Sequence, residues 1–360
     1  MSFDPSLLPD GGLAWLDASG DQSDVVLSTR IRLARNIEGY AFTGRAREGE
    51  RLRVWAQVRD AVPSVPALAG SVMIRVDELA YEHRQLLHER HLISRELAGL
   101  EDQGVRGGAA VCVGEGVGLM VNEEDHLRLQ AVRSGFALDE ATAAITRLDQ
   151  ELGQRVPFSF HEEFGFLTAC PTNTGTGMRA SVLIHLPGLV LTKEIAKVLA
   201  GLQQMGLTYR GLYGEGSEVL GSFFQVSNQT TLGRSEDDLT DHLAKVVRHV
   251  IQREQEARRV LWRDAGYIIE DKLWRAYGTL RYARSLPFEE AMSLLSSVRL
   301  AVGLQLVSGL SVYTLNKLLI YSQPGHLAMS EGRELTEAEA GIARARFVRQ
   351  ALAEEVGPAQ

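Results

Sequence analysis

At Ser235 the chain changes character, and that change restricts the fold more than any other feature. Upstream, segments with the two-residue alternation of strands are interleaved with segments of helical spacing. Asp24–Asn36 opens on a β-branched run and continues as Thr29-Arg30-Ile31-Arg32-Leu33. Side chains alternate across a strand, so Arg30 and Arg32 fall on one face, Ile31 and Leu33 on the other. Val111–Glu124, interrupted by the Gly-rich turn Gly114–Gly118, and Arg179–Leu186 also read as strands. Between them, Asp139–Leu152 has helical spacing through Ala143, Ile145, Leu148 and Leu152. Downstream, Ser235 and Asp238 have the pattern of a capping box. Leu239, Leu243, Val246, Val247, Val250 and Ile251 mark one face of the helix it opens. That helix runs into Arg253-Glu254-Gln255-Glu256, taken as the boundary between domains 1–255 and 256–360. The remainder reads as helical, punctuated at Pro287, Gly309 and Pro324-Gly325. A chain of 360 residues exceeds what one core usually fills. The expected architecture is an α+β body followed by an all-helical C-terminal domain.

Composition narrows the function classes. A net charge of -8 argues against a general nucleic-acid binder, yet leaves room for a local basic pocket. Two cysteines, Cys112 and Cys170, make no disulfide framework and fit a reducing compartment. The opening MSFDPSLLPDGGLAWL lacks the basic and apolar regions of a signal peptide. The most apolar stretches, Ser181–Thr192 and Val298–Ile320, are broken by polar residues, Pro or Gly, short of the ~18 apolar residues of a membrane span. A cytoplasmic protein with no membrane partner is expected.

The chain has no G-x-x-x-x-G-K-[ST] phosphate loop, no protein-kinase signature set and no G-x-S-x-G elbow. Thr174-Gly175-Thr176-Gly177 allows backbone N–H groups to approach a phosphate, or is an ordinary turn. His88-Glu89-Arg90-His91 places two imidazoles at i and i+3; without a third ligand it reads as a helix-surface pair, and no metal ligand is assigned. Asn122-Glu123-Glu124-Asp125-His126-Leu127-Arg128 delivers three consecutive carboxylates after an apolar strand. Arg210-Gly211-Leu212-Tyr213-Gly214-Glu215 pairs an arginine and a glutamate around glycines. Each of these two, taken alone, reads more readily as a solvated turn or loop.

Taken together they resemble something definite. Ser28-Thr29-Arg30-Ile31-Arg32-Leu33-Ala34-Arg35-Asn36 is similar to the opening motif of the phosphagen (guanidino) kinases. Val121–Arg128 resembles their N-E-E-D-H-L-R motif, and Cys170–Val182 their C-P-T-N-x-G-T segment with the R-A-S-V strand after it. Arg210–Glu215 resembles the R-G-x-x-G-E loop, and Ser227-Asn228-Gln229 through Leu232-Gly233 the element before the last helix of the catalytic domain. The five motifs stand in family order. The resemblance implies a catalytic domain built on an antiparallel sheet flanked by helices.

It also implies roles. Arg30, Arg32, Arg128, Arg179 and Arg210 would hold the ATP phosphates, because planar guanidinium forks match phosphoryl oxygens bidentately. The nucleotide-binding segments as a whole are Ser28, Thr29, Arg30, Ile31 and Arg32; His91; Arg128; Arg179, Ala180, Ser181, Val182 and Leu183; and Arg210, Gly211, Leu212, Tyr213 and Gly214. Mg2+ is expected on the triphosphate, held largely through water. Glu124 and Glu215 would clamp the acceptor guanidinium, and Glu124 would accept its proton. Cys170 would place a thiol beside that guanidinium, or is a small buried residue ending a strand. Cys112 is expected in the core.

Within the family the resemblance is strongest to a bacterial branch whose members phosphorylate arginine side chains of proteins. The first motif begins at Ser28, leaving no room for the N-terminal helical domain of the metabolite kinases, and Gln323-Pro324-Gly325-His326-Leu327 resembles the branch's Q-P-x-H-L segment. By the same resemblance the partners are arginine-bearing proteins, an activator protein, a Clp-type protease system in stress regulation, and a second copy in a homodimer. Rival readings are a kinase for free arginine or another small guanidino compound, and an inactive phosphoarginine-binding adaptor. The adaptor predicts decay among the five arginines and two glutamates, and all seven are present. One departure stands out: where the branch has R-D-x-x-R-A, taken to bind phosphoarginine, this chain has Ala340-Gly341-Ile342-Ala343-Arg344-Ala345. A lone arginine is a weaker anchor for a dianion than a cluster. Arg344, Arg346 and Arg349 are otherwise the wet face of a terminal helix.

Overall fold

The computed structural model describes residues 4–8, 13–100, 104–212 and 219–357. Its strands are β1 (Val26–Arg35), β2 (Val72–Arg75), β3 (Ala110–Val113), β4 (Val117–Val121), β5 (Leu127–Ser134), β6 (Phe160–His161), β7 (Gly165–Phe166), β8 (Met178–His185), β9 (Leu207–Gly211) and β10 (Phe223–Asn228). Eight form one sheet in the order β2-β3-β4-β5-β1-β8-β10-β9, and every pairing in it is antiparallel. The remaining two, β6 and β7, make a small hairpin. The turn at Gly114–Gly118 thus separates two strands rather than bending one, with Gly116 at φ 63.

The helices are α1 (Glu48–Ala61), α2 (Tyr81–Glu89), α3 (Leu138–Gly153), α4 (Pro187–Leu191), α5 (Ile195–Gln204), α6 (Glu236–Tyr282), α7 (Phe288–Gly303), α8 (Val312–Tyr321), α9 (Pro324–Glu331) and α10 (Glu337–Val356). One sheet face is apolar and covered: Ile31, Leu33, Ala180, Val182 and Val226 pack in a core with Ile145 and Leu148 of α3 and Leu243, Val247 and Val250 of α6. This is the face opposite Arg30 and Arg32, as the alternation requires. Ser235 caps α6, accepting from the Asp238 N–H in the expected capping box.

Helix α6 continues through Arg253–Glu256, whose residues are good helix formers, and its one residue of non-helical geometry is Ala265 (φ -141, ψ 24). The core changes partners along it. Residues to Ala257 pack with the sheet, whereas Leu261, Ile269, Leu273 and Leu280 pack with Leu295, Leu318 and Val348 of the later helices. Leu183 and Phe223 join this second cluster from the arginine-bearing side of the sheet, so the C-terminal helices cover one end of that face. Pro287 precedes α7 and Pro324 opens α9, where the missing N–H has no intrahelical partner to lose. Among the described residues no helix is long and apolar enough to cross a membrane.

Arg344 is not on a wet face. It is buried, donating from Nε to the Ser322 carbonyl (2.7 Å) and from Nη1 to the Leu286 carbonyl (2.8 Å). Arg346 pairs with Glu331 at the surface, and Arg349 donates to the Ala283 carbonyl.

Candidate active site

Strand register brings the five arginines together. Arg32 of β1 stands opposite Arg179 of β8, and Ala34 opposite Arg128 of β5. Arg30 stands opposite Ser181, Ser181 opposite Ser227, and Arg210 opposite Gln225. Directly opposed residues share a sheet face, as do residues two apart along a strand. Arg30, Arg32, Arg128, Arg179 and Arg210 therefore all rise from one face across five adjacent strands.

Little anionic charge meets them. Arg128 bridges Glu123 (2.8 Å) and Glu124 (3.0 Å). Among the described residues the other four form no ion pair. Arg30 donates to Gln130 Oε1 (2.9 Å), Arg179 to Ser227 Oγ (3.2 Å) and Arg210 to Gln225 Oε1 (2.8 Å). The Nε atoms of Arg30 and Arg32 are buried without a partner among the described residues. Desolvation, then the nearby Arg210 and Arg128, pull the Arg30 guanidinium from 12.5 down to about 9. Arg32 is pulled well below the usual value by burial and by all four neighbouring arginines. Burial and then Arg210 and Arg128 lower Arg179 as well. Such a face lacks the counter-charge that a polyanion would supply.

At one end lies a cavity of about 260 Å³ lined by Arg32, Glu124, Arg128, Cys170, Arg179 and Arg210. The carboxylates reach it through a tight turn after β4, with Asn122 at φ 57 and its amide donating to the Arg51 and Gly108 carbonyls. That turn is not solvated: Asn122, Glu123, Asp125 and His126 are buried, and only Glu124 is partly exposed. Desolvation holds the Glu124 carboxyl above the ordinary 4.5, opposed by Arg128. Asp125 accepts from the Asn36 amide and from the Ala169 N–H, both at 2.6 Å, tying the loop that carries Cys170 to β1 and β5. His126 accepts the Ile37 N–H on Nδ1 and lies 2.9 Å from the Ala41 carbonyl through Nε2, the arrangement of a neutral ring. Gly177, on the same loop, has φ 65, and a Cβ there would sit 2.6 Å from the Ala34 carbonyl oxygen, so only glycine lets the loop lie this close to β1.

At the other end, Ser28, Arg30, His91, Ser181, Leu183 and Leu212 line a common cavity. His91 has φ 62; burial, then Arg30, His88 and Arg210, push its pKa down to about 3, so it is neutral. His88-Glu89-Arg90-His91 is no surface pair, since Glu89 and Arg90 between the imidazoles are buried. Thr29, Ile31, Ala180 and Val182 have side chains on the covered face, with Thr29 Oγ1 donating to the Gly135 carbonyl. Gly211 ends β9 beside Leu212. Tyr213, Gly214 and Glu215 lie outside the described residues.

The sequence motifs give no role to Glu123, Gln130, Gln225 and Ser227, though the last three have a readable signal. Gln130 lies two residues beyond Arg128 on one strand, and Gln225 and Ser227 alternate along Phe223–Asn228.

Comparison with known proteins identifies this arrangement. Residues 54–257 match the family model of the ATP:guanido phosphotransferase C-terminal catalytic domain, and residues 267–360 that of the protein-arginine kinase McsB C-terminal domain. The chain belongs to the ATP:guanido phosphotransferase family, in its protein-arginine kinase branch. Protein-arginine kinases of Pelotomaculum thermopropionicum and Moorella thermoacetica are 43% and 44% identical over 94% of this chain, covering 95% and 97% of their own lengths. That of Bacillus subtilis is 40% identical over 96% of this chain and 94% of its own. Among solved structures, the duplicated taurocyamine kinase from Schistosoma mansoni with bound transition state analog components aligns with TM-score 0.56 and 25% identity over 68% of this chain, which spans only 37% of that protein. Lombricine kinase aligns with TM-score 0.56 at 23% identity, covering 67% of this chain and 70% of its own, a likeness of fold. The protein is thus a kinase, and ATP is its phosphoryl donor.

Proposed function

We propose that this protein transfers the γ-phosphoryl group of ATP to the guanidinium of arginine residues in other proteins. The observation that carries this reading is the face of five convergent arginines with one carboxylate pair at its edge. The acceptor class is supported by the protein-arginine kinases that this chain is similar to along nearly its whole length.

In this reading the triphosphate lies along Arg30, Arg32, Arg179 and Arg210, with Arg128 at the γ end and the nucleoside toward Ser28 and His91. Magnesium would arrive on the triphosphate, since cationic side chains dominate this face; when bound it neutralises phosphoryl oxygens and keeps several waters. The acceptor guanidinium would enter beside Glu124 and Cys170, with Glu215 as the second carboxylate of the clamp. An arginine guanidinium stays protonated throughout the physiological range, so a neutral nitrogen is scarce until a base takes its proton. In this reading Glu124, with its carboxyl raised by desolvation, accepts that proton. The nitrogen then forms its bond to the γ-phosphorus as the bond to the bridging oxygen of ADP breaks. A division into a catalytic domain, 1–255, and a helical domain, 256–360, belongs to the same proposal. So do the activator protein, the Clp-type protease system, the homodimer and the cytoplasmic setting.

The test offers free arginine and an arginine-rich unfolded protein side by side with ATP and magnesium. Acid-labile phosphate on the protein is expected. Label on free arginine alone would overturn the acceptor assignment, and no transfer to either, with ATP bound, would overturn the kinase as self-sufficient.

A further inference from the structure

Trp15 lies outside every motif considered so far, yet it stands at the nucleoside end of the arginine face. A single 3-10 turn, Ala14–Leu16, presents it. The ring is buried and meets His91 edge-on, with centroids 5.5 Å apart and planes at 68°. Trp15 walls one small cavity with Ser28, Arg30, His91 and Ser181, and a second with His91 and Gln130. Each is about 20 Å³, room for little more than one water molecule. A purine seated here would have to displace the Trp15–His91 wall.

Behind that wall stand the C-terminal helices. Leu13, Trp15 and Leu16 form a cluster with Ile320 of α8, and Tyr321 packs against it. Asn316 of α8 donates to the Leu16 carbonyl at 2.9 Å, and Arg299 of α7 donates both to Asn316 Oδ1 and to the Ser23 carbonyl. A second clamp holds the other half of the wall. Glu89, two residues before His91, accepts from the Gly325 and His326 N–H groups at 2.8 and 3.0 Å and lies 2.8 Å from His326 Nδ1. Arg90 donates to His326 Nε2 at 3.2 Å. The N-terminus of α9 is thereby fastened to the end of α2, and His91 follows directly.

We propose that Trp15 contacts the nucleoside and that Asn316, Ile320 and the Glu89–His326 clamp position Trp15 and His91, coupling ATP binding to docking of the C-terminal helices. This rests on the reading that ATP lies along the arginine face. Any coupling of this kind is reciprocal: nucleotide tightens the docking by the factor by which docking tightens nucleotide.

The test uses the full chain and MgADP, followed by tryptophan fluorescence, with KM for ATP measured in parallel. Trp15→Phe is expected to remove most of the fluorescence change, although three other tryptophans remain. It should also weaken MgADP about fivefold, the scale of one aromatic contact. Asn316→Ala and His326→Gln, which touch no ligand, are expected to raise KM for ATP about threefold and to change kcat by less. The inference is overturned if Trp15→Phe keeps the wild-type signal and affinity, or if the two clamp variants lower kcat with KM unmoved. Should Trp15→Phe not fold, a chain with Trp55, Trp262 and Trp274 all replaced by Phe carries the test, and a Trp15 emission unmoved by saturating MgADP overturns the inference. A wild-type chain that binds no MgADP instead overturns the ATP reading itself.

Discussion

Among the described residues the Arg30 side chain makes one hydrogen bond, to Gln130, and it is surrounded mainly by like charge, so Arg30→Met asks whether the face is built for a polyanion. Its fall from 12.5 to about 9 corresponds to about 5 kcal/mol against the charged form, at ~1.4 kcal/mol per pH unit, a ceiling on the cost. Losing the bond to Gln130 offsets about 1 kcal/mol, and methionine retains most of the apolar stem. The nucleotide-free variant is therefore expected to be more stable than the wild type by about 1–3 kcal/mol. At roughly 2–4 °C per kcal/mol, Tm rises by about 2–12 °C. With ATP at a hundredfold excess over its Kd, the wild type gains about 2.7 kcal/mol, and the variant gains almost nothing. The sign with pH follows from the same shift. Below about pH 9 the guanidinium is charged in both states and the penalty is complete. Between about 9 and 12.5 the unfolded chain binds the proton and the folded site does not, so this group's contribution to stability rises with pH. Arg30→Met removes that rise. Melting curves with and without MgATP decide it: a variant that melts below the nucleotide-free wild type, or that ATP stabilises to the wild-type extent, refutes the reasoning.

Glu124→Gln is expected to abolish phosphoryl transfer while leaving ATP binding nearly intact; an affinity loss by equilibrium dialysis as large as that of Arg179→Ala would count against its role as base. Because Glu124 must be ionised to accept a proton and its carboxyl is raised, the acid limb of kcat/KM should fall at a pH above 4.5, with activity lost as pH drops through it. Arg344→Ala leaves the buried Ser322 and Leu286 carbonyls without donors and is expected to cost about 2–3 kcal/mol in a urea titration, with KM for ATP unchanged. Gly325→Ala would place a Cβ 2.9 Å from both Glu89 carboxylate oxygens and should loosen the joint between α2 and α9, seen as faster amide exchange in α9.

Some of the site is local in sequence and could be read there. The pairing of Arg30 with Arg32 on one face, away from Ile31 and Leu33, follows from strand period alone. The capping box at Ser235 and the stops at Pro287 and Pro324 follow from backbone chemistry within a few residues. What Arg128, Arg179 and Arg210 share with Arg30 and Arg32 is register between strands distant in the chain, and no local pattern encodes register. The same limit applies to burial. Asn122–Asp125 reads as a solvated turn until Asn36, Ala169 and Gly108 arrive from elsewhere to satisfy its polar groups.

The arginines, the glutamates and the order of their motifs were decided by the sequence alone, because residue type dictates what can hold a phosphate or a guanidinium. The lowered pKa of Arg30 and Arg32 was decided by tertiary structure, because desolvation and mutual repulsion exist only once the strands align. So was the place of the C-terminal helices. Their helical spacing says that they fold, but only packing puts Asn316, Ile320 and His326 behind Trp15 and His91, at one end of the arginine face.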